Sequence, residues 1–272
     1  MSNKTSNDDV IVVKDLVKSF NGRRVLDGIN LTVKRGETMV IMGGSGCGKS
    51  TLLRHMVGLM KPDSGEIVIN GKDITKLKEE EMNEVRKKIG LAFQYGALFN
   101  SMTVGENIAL PLVEHTRLDP RTIGLIVKMK LDMVGLTGFE NFKPSEISGG
   151  MMKRVGIARA IALDPQILFY DEPSAGLDPI VSAVIDKLMM DLSQKLNVTS
   201  VVVTHEMDSA FHISNRMCML FNGRVVFLGT PDEIRKSDNE LVKQFVDGAP
   251  DGPIPLRANA DEYVRMMKGT AS

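Results

Sequence analysis

Long apolar runs are missing from this chain. Nowhere do its 272 residues approach the roughly 20 consecutive apolar positions a helix needs to cross a bilayer. Work at a membrane would therefore need a span supplied by another chain. Met1–Asp9 is polar and lacks the apolar stretch of a secretion signal. Cysteine is scarce: Cys47 and Cys218 are the only 2. That is no disulfide framework, and it points to a reducing compartment. Charge of either sign is not in excess. The 34 Lys and Arg balance 34 Asp and Glu, so no global basic field argues for nucleic acid as a partner. Internal repeats and low-complexity tracts are also absent.

What is present is an ordinary globular composition, 43% hydrophobic and 25% charged. The length suits one large α/β domain or two small ones. The 18 methionines read first as fillers of irregular core gaps. Strands are expected at 10–13, 29–33, 38–42, 66–69, 89–93, 167–170 and 200–204. A hairpin at 217–221 and 224–228 turns on Asn222-Gly223. Asn21-Gly22 and Asn70-Gly71 are further turn signals. Helices are expected at 50–60, 76–88, 151–162, 181–196, 208–214 and 261–267. A mostly helical stretch spans 95–143, with breaks near Pro111 and Pro120. Strands alternating with helices imply an α/β fold with a largely parallel sheet, and the central helical stretch reads as an inserted subdomain.

One segment carries an unambiguous chemistry. Gly43-Gly44-Ser45-Gly46-Cys47-Gly48-Lys49-Ser50-Thr51 fits G-x-x-x-x-G-K-[ST], between a strand and a helix. The glycines let the backbone curl so that its N–H groups surround phosphate oxygens. The following helix turns its positive N-terminus to the same anion. Lys49 is expected on the outer phosphates and the Ser50 hydroxyl on Mg²⁺. A chance match in a chain this long is about 1% on average composition. A dinucleotide-binding reading fails, because it makes no use of Lys49-Ser50. Cys47 fills a variable slot and reads as a bystander.

Four further features gain meaning beside that loop. The apolar strand 167–170 runs into Asp171-Glu172, and buried carboxylates without a task are costly. Alternation along a strand points the two apart, with Asp171 suited to the Mg²⁺ shell and Glu172 to the attacking water. His205 follows strand 200–204 and is expected on the γ-phosphate or the water. Gln94, after strand 89–93, is a neutral group able to reach Mg²⁺ and water. Ser148-Gly149-Gly150 precedes a helix and offers a second anion site, which one nucleotide does not need.

In this order the pieces resemble the ATP-binding cassette family, over nearly the whole chain. The resemblance implies a P-loop NTPase core with an antiparallel β subdomain and a helical subdomain inserted at about 95–160. Residues 1–247 would form the cassette, and 248–272 a tail able to act as a docking strap. Gln94 then stands in the glutamine loop, Ser148–Gly150 in the signature, Ser174-Ala175-Gly176-Leu177-Asp178 in the D-loop, and His205 at the switch position. Phe20 falls where the family stacks an aromatic on adenine, and Asp178 joins the nucleotide-binding set. The resemblance further implies a head-to-tail pair of copies, each signature closing on ATP held by the other. Ile147 and Met151 depart from the usual Leu and Gln that flank Ser-Gly-Gly. That departure, with the segments 93–99, 111–116, 244–248 and 251–255, resembles the phospholipid-transporting (Mla) subgroup. There the implied partners are an integral membrane permease, an MCE-domain lipid-binding protein and a small STAS-domain protein. The implied location is the cytoplasmic face of the inner membrane.

Overall fold

The computed structural model describes residues 8–254, so the helix expected at 261–267 and most of the tail lie outside the described residues. The chain divides into two units, residues 8–34, 39–77 and 214–254 in the first, and 35–38 and 78–213 in the second.

The first unit begins with two long antiparallel strands, β1 (Asp9–Phe20) and β2 (Arg23–Lys34). Asn21 and Gly22 join them with φ of 50° and 80°. Two positive φ values make the tight turn whose twist matches a hairpin, and Asn-Gly is the pair that tolerates it. β1 also pairs antiparallel with β4 (Ser64–Ile69), which a second Asn-Gly turn joins to β5 (Lys72–Asp73), giving the order β2-β1-β4-β5. The strands run well beyond the expected 10–13 and 29–33. Bulges explain why their periodicity hides: the register slips between Val13 and Leu16, where Asp15 takes φ 46°. A Cβ on the opposing Gly65 would lie 2.5 Å from the Asp15 carbonyl, so that bulge fits only against glycine.

Residues 39–42 of β3 (Thr38–Met42), in the same unit, run parallel to β9 (Arg216–Phe221), which forms a hairpin with β10 (Arg224–Gly229). Met39–Met42 and Met217–Leu220 are fully buried, so these apolar strands are core on both faces. After β3 comes α1 (Lys49–Met56), which stops short of the expected residue 60. Gly58, at φ 69°, ends it: the Gly58 N–H reaches the His55 carbonyl (3.0 Å) and the Leu59 N–H that of Arg54 (2.9 Å). Two short helices not anticipated above close the unit, α8 (Pro231–Arg235) and α9 (Glu240–Asp247). Beyond α9, Gln244 accepts from the Ile254 N–H (2.6 Å), tying the start of the tail to the helix.

The second unit holds a parallel sheet in the order β8 (Thr199–Val203), β7 (Ile167–Asp171), β6 (Ile89–Ala92). β7 is central, and Ile167–Tyr170 are wholly buried. Helix α2 (Glu79–Arg86) precedes β6. The helical stretch resolves into α3 (Val104–His115), α4 (Pro120–Met133), a 3₁₀ turn at Pro144–Glu146 and α5 (Gly149–Ala160). Then follow α6 (Pro179–Leu196) and α7 (Met207–Ile213).

Of the two expected breaks one is found: residues 116–119 separate α3 from α4 just before Pro120, whereas the helix runs through Pro111. Pro111 sits inside α3, where it removes a backbone bond at a cost of about 3 kcal/mol. Burial of Val104, Ile108 and Leu112 and a Thr103–Glu106 capping box offset that loss. Pro120 instead starts α4, at a first-turn position whose N–H has no helical partner anyway, with Asp119 as cap.

Candidate phosphate-binding and hydrolytic site

In the first unit the segment after β3 folds into a loop around its own glycines. Gly43, Gly46 and Gly48 take φ of 145°, 74° and 107°, a sequence of conformations no other residue adopts cheaply. A Cβ on Gly43 would sit 2.2 Å from the Leu220 carbonyl, and one on Gly48 2.9 Å from that of Val25. Both positions therefore demand glycine for space as well as for φ. Gly44, Ser45 and Gly46 are exposed at the tip, while Lys49 is buried. Lys49 Nζ donates to the carbonyls of Gly43 (2.8 Å) and Gly44 (3.1 Å), so the ammonium lies folded over the loop. Ser50 and Thr51 follow in the first turn of α1. The Cys47 thiol is buried, and burial pushes its pKa up against the opposing charge of Lys49, which leaves it a poor nucleophile. Phe20, at the end of β1, keeps 41% of its surface exposed, with the Lys18 ammonium 5.6 Å from the ring centre. An aromatic that exposed offers a face to a planar ligand.

The second unit brings Glu172 and His205 together. Glu172 directly follows β7 and His205 comes two residues after β8. Glu172 Oε2 lies 2.8 Å from His205 Nδ1. Where the carboxylate accepts, the ring donates from Nδ1, and its Nε2 lies 3.8 Å from Glu206 Oε1. Glu172 is buried, whereas the His205 side chain is 57% exposed. Glu172 also carries φ 50°, an unusual left-handed conformation for a residue with a side chain, and its N–H bonds the Val203 carbonyl at 2.9 Å. Asp171 ends β7 half-buried, and Gln94 is half-buried in the segment after β6.

Ser148 is the N-cap of α5: its Oγ accepts from the Met151 N–H at 3.3 Å, and Ser148 and Gly149 are exposed. Gly150 is buried, and a Cβ there would lie 2.7 Å from Val181 Cγ1 of α6. Asp178 has a structural task, capping α6 by accepting from the N–H groups of Ile180 and Val181, each at 3.0 Å.

Sequence reading missed three residues that organise this unit, Asn107, Lys153 and Arg159. Asn107 is fully buried and exchanges bonds with the Phe99 backbone, accepting from its N–H (2.8 Å) and donating to its carbonyl (3.1 Å). Arg159 donates to the carbonyls of Gly96 (2.7 Å) and Ala97 (2.8 Å). Together they fix the segment that carries Gln94. Lys153 donates to the carbonyls of Glu172 and Ala175. Burial lowers its pKa, against the opposing pull of Glu172 and Glu206. α5 is buried almost all round, so no polar stripe singles these cations out.

The segment around Gln94 also borders an open groove of about 460 Å³. Leu91, Phe93, Phe99 and Pro111 supply apolar walls, with Arg86 and His115 at its side. Among the described residues no group of three or more His, Cys, Asp or Glu could hold a metal ion, and no helix is long and apolar enough to cross a membrane.

A family model described as ABC transporter matches residues 26–175. The chain is 42% identical over 261 residues to the "Intermembrane phospholipid transport system ATP-binding protein MlaF" of Haemophilus influenzae, spanning 96% of this chain and 99% of that protein. It is 43% identical over 252 residues to the "Probable ribonucleotide transport ATP-binding protein mkl" of Mycobacterium tuberculosis, spanning 93% of this chain but 70% of that protein. Among solved structures, the dimeric post-hydrolysis state of the ATP-binding cassette MJ0796, bound to ADP and Pi, is 34% identical with a TM-score of 0.76, covering 81% of this chain and 98% of that one.

Proposed function

The chain belongs to the ABC transporter family, whose cassettes bind and hydrolyse ATP, and from that premise we propose that its ATP hydrolysis drives phospholipid movement between the inner and outer membranes of a Gram-negative cell. One observation carries the cargo: the match to MlaF at 42% identity spans 96% of this chain and 99% of that protein. The likeness of segments 93–99, 111–116 and 251–255 to that subgroup supports it.

The roles follow from the chemistry of each residue. Backbone N–H groups of Gly43–Gly48 and the Lys49 ammonium hold the phosphates, and Phe20 stacks on the adenine. Glu172 orients the attacking water and accepts its proton, while His205 steadies that carboxylate through Nδ1 and faces the γ-phosphate with Nε2. The Ser50 hydroxyl, the Gln94 amide oxygen and the Asp171 carboxylate each offer the oxygen chemistry Mg²⁺ prefers, and are the residues that would hold it. Mg²⁺ bound there would neutralise charge on the transferring phosphoryl group.

Ser148, Gly149 and Gly150 offer their helix N-terminus to ATP held by a second copy of the chain. Asp178 lies in the D-loop of the same interface. A permease of the MlaE type supplies the membrane span and docks in the groove beside Gln94. An MCE-domain protein of the MlaD type and a STAS-domain protein of the MlaB type complete the assembly, at the cytoplasmic face of the inner membrane. A second reading, a cassette serving another substrate, has the 43% identity to mkl in its favour. Purifying the chain with its membrane partners separates the two. ATP-dependent transfer of labelled phospholipid between vesicles, with phospholipid found bound by mass spectrometry, is expected. ATP turnover that moves ribonucleotide and no lipid would overturn the phospholipid reading.

A further inference from the structure

Lys153 lies within the first turns of α5 and is only 8% exposed. Its Nζ donates to the Ala175 carbonyl at 2.6 Å and to the Glu172 carbonyl at 3.3 Å. Those two carbonyls bracket one turn, since the Ala175 N–H also reaches the Glu172 carbonyl at 3.3 Å. An ammonium has three donors and no acceptor, which suits a site made of carbonyl oxygens. Within this turn Glu172 adopts φ 50°. A residue with a side chain stays in that region only when its surroundings hold it there. The Glu172 N–H is held by the Val203 carbonyl, and its carbonyl by Lys153. With both ends of the residue fixed, the direction of its Cβ is fixed, and the carboxylate arrives 2.8 Å from His205 Nδ1.

We propose that Lys153 is a positioning residue for hydrolysis: from α5 it locks Glu172 in the left-handed backbone conformation that aims the carboxylate. The proposal rests on the reading of Glu172 as the group that orients the attacking water. It assigns α5 a second task besides presenting Ser148, because the same helix then reports its own position to the hydrolytic carboxylate.

The test uses the full chain, purified with whatever membrane partners accompany it, and steady-state ATP turnover. Lys153→Met keeps the length and the burial but removes every donor. Misplacing a reacting group by about 1 Å can cost on the order of a hundredfold in rate, so kcat is expected to fall about tenfold or more. KM for ATP is expected to change by less than about twofold, because the phosphate loop is untouched. Lys153→Arg, which still donates at that depth, is expected to keep kcat within about threefold of the parent. In a Glu172→Gln background, Lys153→Met is expected to cause no further loss, since the aimed carboxylate is already gone.

A wild-type kcat in Lys153→Met, or a multiplicative loss in the Glu172→Gln background, overturns the proposal. Should Lys153→Met fail to bind ATP, Lys153→Arg decides: normal turnover supports the proposal, and slow turnover with intact ATP binding sinks it. Wild-type turnover in Glu172→Gln alone is a different failure, that of the reading of Glu172 itself.

Discussion

On the proposed reading Lys49 serves binding and Glu172 the chemistry, and each makes a separate prediction at the residue scale. Lys49 is folded onto the carbonyls of Gly43 and Gly44, inside the loop whose N–H groups suit phosphate. Removing it takes away a positive charge from an anion site without touching the Glu172–His205 pair. Lys49→Ala is therefore expected to weaken ATP binding by about tenfold or more, measured by titration with a fluorescent nucleotide. Unchanged affinity would sink the assignment. Glu172→Gln has the opposite signature. The amide preserves shape and can still meet His205, but it takes no proton. ATP affinity is expected to hold while phosphate release falls by two orders of magnitude or so. Both residues were legible in the sequence, because a loop of fixed glycine spacing and an acidic pair after an apolar strand are local patterns. The left-handed backbone at Glu172 was not legible, since the ammonium and the carbonyl that hold it come from Lys153 and Val203, far away in the chain.

Helix α5 shows why elements were read less well than motifs. Its start was visible in Ser148-Gly149-Gly150. Its packing was not, because it is buried on several sides and shows no single apolar stripe. Close backbone approach adds to the burial of Val155, Ile157 and Ala158. A Cβ on Gly156 would lie 3.0 Å from the Gly96 Cα, backbone against helix. Gly156→Val is accordingly expected to lower stability by about 1–3 kcal/mol, the cost of overpacking a site that cannot shift. Thermal unfolding measures it, and an unchanged melting temperature would show that the segment after β6 moves aside freely. Asn107 makes the same point for α3. Its amide satisfies both backbone groups of Phe99, and in sequence it looks like any helical polar residue. Asn107→Ala takes the partner from the Phe99 N–H, while the Phe99 carbonyl still accepts from the Met102 N–H (3.1 Å), so a loss of about 1–2 kcal/mol is expected by the same measurement. The break expected near Pro111 belongs here too. Local propensity makes Pro111 a break because it ignores what the buried face of α3 contributes.

At the scale of the whole molecule, the position of Ser148 raises the question of which ATP it serves. If the signature of one copy closes on ATP held by another, each site needs one healthy phosphate loop and one healthy signature from different chains. Ser148→Phe leaves the loop intact and obstructs the exposed helix N-terminus. Lys49→Ala leaves the signature intact and disables the loop. Each variant alone is expected to hydrolyse ATP at a small fraction of the parent rate. Mixed in equal amounts, half of the random pairs carry one of each. Every such pair holds one intact site, built from the loop of the Ser148→Phe copy and the signature of the Lys49→Ala copy. Its other site is doubly broken. Turnover in the mixture is thus expected to recover toward about a quarter of the parent value, the share of sites made whole. A site contained within a single chain allows no such rescue, since each variant would keep its own defect whatever its neighbour. Phosphate release from the two variants alone and from their mixture distinguishes these cases. A mixture no faster than its components would remove the two-copy arrangement while leaving the loop and Glu172 as assigned.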